Sequence, residues 1–144
     1  MPKIELRVDT RFHNMQVIGE ILPSLEYLRL SDSIINNFRD IGTSFKNVRF
    51  LNLSRCELKE VNGMQAFSQL EELYIGFNDL NELFDIGFLQ HLTVLDIEAN
   101  KIKDLDQLYY LRRNKNLTHL SLKQNPVSYG KSIGSSNGTN ATPS

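Results

Sequence analysis

Residues 70–80 read LEELYIGFNDL, and the same arrangement of residues returns at residues 92–102 as LTVLDIEANKI. Both copies have apolar residues at the first, fourth, sixth and eleventh positions and an asparagine at the ninth. Further copies of the apolar pattern begin at residues 25, 48 and 117. The central leucines recur at an almost constant interval, which is longest between the last two: Leu28, Leu51, Leu73, Leu95 and Leu120. A period of this kind indicates a repeat architecture.

Each copy alternates apolar and polar residues around its central leucine, as in Leu28-Arg29-Leu30. An alternation of period two is typical of a β-strand that buries one face. One short strand cannot bury that face alone, so the copies must stack and share a continuous core. Phe38-x-x-Ile41 and Leu83-x-x-Ile86 have the spacing of a single helical or 3-10 turn. We therefore predict an α/β solenoid with a curved parallel sheet on its concave face and short helical or 3-10 turns on its convex face.

A weaker copy is predicted at the start of the chain, because Leu6 precedes Leu28, and Val8 precedes Leu30, by the interval that separates Leu51 from Leu73. This alignment places Arg11 at the asparagine position. It gives about six repeats, the first one degenerate, in a single domain over residues 1–129. Residues 130–144 consist mostly of Gly, Ser, Asn and Thr, a composition that cannot bury enough surface to fold, so we expect a disordered tail.

The ninth position of the repeat is expected to satisfy buried backbone groups where the chain turns after its strand. Asn78, Asn100 and Asn125 can both donate and accept hydrogen bonds there. Ser33 and Cys56 take this position in the earlier repeats. Cys56 is the only cysteine, which excludes an intramolecular disulfide and a cysteine-rich zinc site. We interpret it as a structural residue and not as a nucleophile.

The longest step between repeats, from Leu95 to Leu120, contains the segment from Asp104 to Leu111. Its apolar residues have the spacing of a short amphipathic helix. The basic residues Arg112, Arg113 and Lys115 follow it. Basic side chains complement the dipole at a helix C-terminus, so we interpret this cluster as capping and solvation and not as a binding patch.

These repeats resemble those of the leucine-rich repeat proteins over about residues 1–129. The interval between copies, with Leu80-x-x-Leu83 and Ile102-x-x-Leu105, resembles the subclass of intracellular phosphatase-1 regulators and axonemal dynein-associated proteins. A closer resemblance, to the ciliary leucine-rich repeat family required for outer dynein arm assembly and transport, is carried by LPSLEYL (22–28), RDIGTS (39–44) and LSRCEL (53–58). It implies an adaptor between dynein arm complexes and the intraflagellar transport machinery.

Residues on either side of each central leucine should point to the concave face. The column before the leucine comprises Glu5, Tyr27, Phe50, Glu72, Val94 and His119. The column after it comprises Arg7, Arg29, Asn52, Tyr74, Asp96 and Ser121. We expect Tyr27, Phe50, Tyr74 and Phe77 to form one aromatic patch, with Gly76 leaving room for a partner to approach the sheet.

Exposed neighbouring aromatic residues are typical of protein interfaces. We therefore predict that the concave face binds a protein through Tyr27, Arg29, Phe50, Asn52, Glu72, Tyr74, Phe77, Asp96 and Glu98. Glu72, Asp96 and Glu98 would form an acidic border, and Arg29 and Arg55 a basic one. The alternative is that some of these aromatic rings merely pack on their neighbours along the sheet.

Other classes of function have little support in the sequence. A net charge of −1 gives no long-range attraction to nucleic acid or to an anionic membrane. The three histidines fall in different columns, and no phosphate loop, metal-ligand spacing or catalytic triad is present, so we expect neither enzymatic activity nor a cofactor. The charged N-terminus does not resemble a signal peptide, and no stretch reaches the roughly 18 apolar residues of a membrane span.

We therefore predict a protein-binding adaptor of the cytoplasm, with the cilium or flagellum as its more specific location. Dynein arm or intraflagellar transport components are the partners that the resemblance implies. A phosphatase-1 regulatory subunit and a ribonucleoprotein scaffold remain the alternatives. End-to-end self-association is a further expectation, because the strand of the last repeat presents an open edge around Leu120.

Overall fold

Six strands of three residues each form one parallel sheet in sequence order in the computed structural model, which describes residues 1–129. They are β1 (Lys3–Glu5), β2 (Tyr27–Arg29), β3 (Phe50–Asn52), β4 (Glu72–Tyr74), β5 (Val94–Asp96) and β6 (His119–Ser121). The central residues of β2 to β6 pair in register as the sequence predicts. The predicted α/β solenoid is thus confirmed, and the predicted tail lies outside the described residues.

Among the described residues, the segments that return between strands contain one α-helix and four 3-10 helices, and a fifth 3-10 helix follows β6. They are α1 (Gln16–Ile21), η1 (Phe38–Ile41), η2 (Met64–Ala66), η3 (Asp85–Phe88), η4 (Leu105–Arg113) and η5 (Pro126–Tyr129). Of the spacings that predict short turns, Phe38 and Ile41 both lie in η1, whereas Leu83 precedes η3 and Ile86 lies in it; all four side chains are buried. The helix predicted over 104–111 is present as η4, but with 3-10 geometry, and it buries only Leu111.

The first repeat has a different register from the predicted one. Ile4, and not Leu6, pairs with Leu28, so the predicted alignment is displaced by two residues. The Leu6 amide donates to the Arg29 carbonyl (3.0 Å), and Asp9 stands opposite Ile34 in an isolated bridge, where the predicted alignment would place Phe12. A shift of two residues keeps every side chain on the same face, so the alternation of Ile4, Leu6 and Val8 could not define the register.

The central leucines form the core of the sheet, and Leu28, Leu51, Leu73 and Leu95 are fully buried. Three phenylalanines fill the space under the convex turns. The Phe67 ring lies 5.9 Å from that of Phe38 and 6.2 Å from that of Phe45, measured between centroids. Leu120 of β6 differs from the other central leucines because it is 41% exposed.

The predicted asparagine ladder is confirmed. Asn78 Oδ1 accepts from the backbone N–H groups of Cys56 (2.9 Å) and Leu58 (3.0 Å), while its Nδ2 donates to the carbonyl of Leu53 (3.0 Å). Asn100 and Asn125 make similar bonds: each accepts from one backbone N–H, of Leu80 and Ile102, and donates to a carbonyl of the preceding repeat, of Ile75 and Ile97. Each asparagine therefore joins its own repeat to the preceding one.

Cys56 takes the same position with a thiol. Its Sγ donates to the Leu30 carbonyl (3.1 Å), and burial raises the pKa of the thiol to about 11. A protonated, buried thiol is a poor nucleophile. The geometry agrees with the interpretation of Cys56 as a structural residue.

Candidate functional site

Three aromatic rings lie in contact on the concave face, and we call Tyr27, Phe50 and Tyr74 the aromatic row. Tyr27 and Phe50 stack face to face, with 4.1 Å between ring centroids and 6° between ring planes. Tyr74 continues the row at 5.0 Å from Phe50, with its ring tilted by 36°. Neighbouring strands lie about 4.8 Å apart, so equivalent positions on two strands bring rings to stacking distance. Tyr27 and Phe50 pair directly across β2 and β3, whereas Tyr74 pairs with Asn52 and reaches Phe50 diagonally from β4.

The basic neighbour of the row is a residue that the sequence alignment missed. Lys3 pairs with Tyr27 across β1 and β2, and its Nζ lies 4.7 Å from the centre of the Tyr27 ring. The predicted alignment placed Glu5 there, and Arg7 beside Arg29. In the structure Glu5 pairs with Arg29 instead. The concave face therefore begins with a cation over an aromatic ring, an attractive contact that the two-residue shift creates.

A carboxylate fixes the other end of the aromatic row. The Tyr74 hydroxyl donates to Glu72 Oε1 at 2.7 Å, and both side chains are half-buried. Burial, reinforced by this hydrogen bond and by the charge of Glu72, raises the pKa of Tyr74 to about 12. The ring of Tyr74 is therefore held over the sheet with its hydroxyl protonated.

Phe77 does not join the aromatic row, which corrects the prediction of a single patch. It follows β4 in a turn with a positive φ of 57°, and the guanidinium of Arg55 lies 4.0 Å from the centre of its ring. The turn carries Phe77 away from the direction in which the strand side chains point. Phe77 and Arg55 form a separate cation–π pair at the end of the strands.

The polar residues predicted around the row already have partners. Asn52 and Asp96 occupy equivalent positions, and the Oδ1 atom of each accepts from the backbone N–H two residues later, at 2.9 and 3.0 Å. Arg29 Nε donates to Ser31 Oγ (3.0 Å), and Glu98 Oε1 accepts from Gln124 (3.3 Å). These side chains already make hydrogen bonds within the chain. Only their remaining donor or acceptor atoms could bind a partner.

Gly76 serves the stacking of repeats and not the approach of a partner. It is buried, and a Cβ atom at this position would lie 3.1 Å from the carbonyl oxygen of Glu98 in the next repeat. That distance is tighter than an ordinary van der Waals contact. The predicted gap above Gly76 is therefore occupied by the neighbouring backbone.

This face combines aromatic rings with charged side chains. It presents rigid rings between a lysine at one end and the carboxylates of Glu72 and Asp96 at the other. Among residues 1–129, no group of three His, Cys, Asp or Glu side chains is placed to hold a metal ion. Within the same residues, no helix has the length and apolar character needed to cross a membrane.

The chain is similar to known proteins over only part of their length. No protein-family model matches the chain. Leucine-rich repeat-containing protein 56 of Rattus norvegicus is 38% identical over 134 residues, which cover 93% of this chain and 24% of that protein. Its homolog in Trypanosoma brucei brucei is 36% identical over 122 residues, covering 83% of this chain and 16% of that protein. The chain thus spans about a quarter or less of these relatives.

Among solved structures, internalin C2 of Listeria monocytogenes superimposes with a TM-score of 0.65 at 26% sequence identity. The match covers 91% of this chain and 54% of the internalin. The similarity therefore extends over nearly all of the described stack of repeats.

Proposed function

We propose, since this chain belongs to the leucine-rich repeat proteins, that it is a protein-binding adaptor whose concave face holds the partner. Solenoids of this kind present an extended concave surface that suits protein binding. The aromatic row is the single observation on which we base the choice of the concave face as the binding surface. Large rigid rings at the centre of an interface commonly dominate its binding energy.

The rings and charges of the row define the chemistry of the partner that we propose. Phe50 offers an apolar face between two tyrosines, and Glu72 and Asp96 lie on the neighbouring strands. A partner segment with an apolar side chain for the rings and a basic side chain for the carboxylates would complement this surface. Arg29, Asn52, Phe77 and Glu98 complete the proposed contact surface around that centre.

The more specific proposal is that the adaptor acts in outer dynein arm assembly or transport, in the cytoplasm and in the cilium or flagellum. Its support is the resemblance carried by residues 22–28, 39–44 and 53–58. Dynein arm and intraflagellar transport components are then the proposed partners. A phosphatase-1 catalytic subunit or ribonucleoprotein components would be captured if one of the alternative classes were correct.

The experiment is affinity capture from ciliated cells followed by quantitative mass spectrometry, with binding constants then measured for the captured partner. Phe50→Ala combined with Tyr74→Ala should weaken binding by more than about 2 kcal/mol, because the centre of the interface is removed. The fold should persist, since both side chains lie on the solvent side of the sheet. Circular dichroism and a urea melt check this point.

Lys59→Ala provides the matched control, because Lys59 is exposed and follows the turn after β3. It should leave both binding and stability unchanged. Equal binding by the double variant and the wild type would assign the partner to another face. Recovery of a phosphatase catalytic subunit without ciliary components would reject the specific proposal and keep the adaptor.

A further inference from the structure

The convex side carries a second aromatic surface, which the sequence patterns did not predict. A cleft of about 400 Å³ opens between η3 and η4. Four rings and two guanidinium groups line it: Phe84, Phe88, Tyr109, Tyr110, Arg112 and Arg113. We call this the convex cleft.

The wall of the convex cleft is built by contacts between two repeats. Phe84 meets Phe88 edge to face at 5.2 Å and meets Tyr110 in the same way at 5.3 Å, both measured between centroids. A Cβ atom at Gly87 would collide with the carbonyl oxygen of Tyr110, so glycine is what lets η4 approach η3. Gln107 Oε1 accepts from the Leu83 N–H (3.0 Å) and holds the two segments together.

The rings of the convex cleft are not needed to fill the core. Ile86 and Leu111 from the same two segments are buried beneath them. The rings themselves stay exposed: Phe84 by 48%, Phe88 by 38%, Tyr109 by 68% and Tyr110 by 41%. A contiguous exposed aromatic surface of this kind marks an interaction site.

The charge around these rings is mainly positive. Arg112 lies 4.2 Å from the centre of the Tyr109 ring, and Arg113 lies 5.4 Å from that of Phe88. An adjoining cleft shares Phe88 and Arg113 and adds Lys115. Asp106 is the one carboxylate among the described residues that line the two clefts. This local charge contrasts with the net charge of −1 of the whole chain.

We propose that the convex cleft docks an acidic segment of a partner protein, which places an aromatic side chain among the rings and carboxylates against Arg112 and Arg113. Planar guanidinium groups bind carboxylates with two parallel hydrogen bonds, and stacking on rings leaves their N–H edges free to do so. The two arginines are binding groups in this proposal, which replaces their interpretation as helix caps. An adaptor with a concave and a convex site can hold two partners at once.

The test uses the full chain and a fluorescein-labelled synthetic peptide of glutamates flanking one phenylalanine, with binding followed by fluorescence anisotropy. Phe84→Ala combined with Arg113→Ala should weaken binding by about tenfold or more, as expected when an anchor and its charge partner are lost. Raising NaCl from about 50 to about 500 mM should weaken wild-type binding, because the salt screens the arginine–carboxylate attraction. Two further peptides, one with glycine for the phenylalanine and one with lysines for the glutamates, should bind poorly.

Arg11→Ala combined with Phe12→Ala is the matched control, since this pair is also an exposed arginine over an aromatic ring, 5.4 Å apart, in the first repeat. It should bind the acidic peptide like the wild type. So should Phe50→Ala combined with Tyr74→Ala, which separates failure of this site from failure of the concave one. Circular dichroism checks that the cleft variant is folded.

Three results would overturn the proposal. The first is equal peptide binding by the cleft variant and the wild type. The second is binding to phosphatidylserine vesicles in a flotation assay, lost in the cleft variant, without binding to the acidic peptide. The third is a wild-type dimer, seen by sedimentation, that the cleft variant alone abolishes, because the cleft would then hold a second copy of this chain.

Discussion

Each asparagine of the ladder serves two repeats at once. Asn100 Oδ1 accepts from the Leu80 N–H (3.0 Å), and its Nδ2 donates to the carbonyls of Ile75 and Ile97 (both 3.0 Å). These backbone groups are buried where water cannot replace the side chain. The cost of leaving them unpaired is therefore larger than the value of an ordinary hydrogen bond.

Asn100→Ala should lower the free energy of unfolding by about 2 kcal/mol or more, because buried donors and acceptors lose their partners. Urea denaturation followed by circular dichroism measures this. Asn62→Ala, at an exposed residue of a convex turn, should change stability by less than about 0.5 kcal/mol. Equal effects of the two substitutions would contradict a structural role for the ladder.

The hydroxyl of Tyr74 makes stability depend on pH in the alkaline range. Its pKa is raised to about 12 in the folded chain, above the ordinary value of 10.0. The folded state thus holds this proton more tightly than the unfolded state does. The contribution of the protonated hydroxyl to the free energy of unfolding is fully present below pH 10 and is lost as the pH rises toward 12.

Tyr74→Phe should remove that part of the pH dependence. The difference in unfolding free energy between wild type and variant should shrink between pH 8 and pH 11. Denaturant melts at the two pH values measure it, and the ultraviolet absorbance of tyrosinate follows the ionisation directly. A difference that stays constant across this range would show that Tyr74 titrates normally.

At the level of the structural element, every strand from β2 to β6 is followed by the same strained turn. The residue before the ladder position has a positive φ of 54° to 65° and is never glycine: Asp32, Arg55, Phe77, Ala99 and Gln124. The turn directs the chain inward and places the ladder side chain beneath the sheet. This left-handed conformation is costly for every residue except glycine, because the Cβ atom comes too close to the backbone.

Ala99→Gly should raise the free energy of unfolding by up to about 1 kcal/mol, because it relieves the strain at φ 54°. The same substitution at Ala66, inside η2, should lower it by about 0.5 to 1 kcal/mol, since glycine there only adds freedom to the unfolded chain. Denaturant melting curves of the two variants show whether each substitution raises or lowers the free energy of unfolding. Destabilisation by both would mean that the methyl group of Ala99 contributes more than the strain costs.

For the molecule as a whole, stability comes from stacking, and each repeat is covered by its neighbours. The central leucines are buried through β5, whereas Leu120 of β6 remains 41% exposed in the described stack. Leu105 on the convex side of the same region is 63% exposed. A parallel sheet edge with exposed apolar residues can pair with another chain.

We expect end-to-end self-association of the chain, which sedimentation velocity over a range of concentrations would detect. Leu120→Lys should reduce it, because a charge on an edge strand opposes pairing. Phe12→Lys changes an exposed apolar residue in the first repeat. It should reduce self-association less than Leu120→Lys does if the β6 edge is the contact surface. A wild-type chain that stays monomeric at high concentration would reject this expectation.

The period, the register of β2 to β6, the leucine core and the asparagine ladder can all be predicted from the amino-acid sequence. These features repeat at fixed offsets, so aligning the five copies shows which residues occupy equivalent positions. The membership of the aromatic row follows in the same way, since Tyr27, Phe50 and Tyr74 occupy predicted columns. The distance and tilt of their rings, and the turn that removes Phe77 from them, depend on backbone geometry that a column cannot express.

The register of β1 is defined only in the folded chain, because two alignments of an alternating strand bury the same face. The convex cleft is likewise a product of folding, since it joins Phe84 to Tyr110 of the next return segment through the close approach that Gly87 permits. Residues of the return segments lack the fixed offsets of the strands. Their neighbours are set only when the repeats stack, because packing between repeats is a property of the assembled core and not of one period.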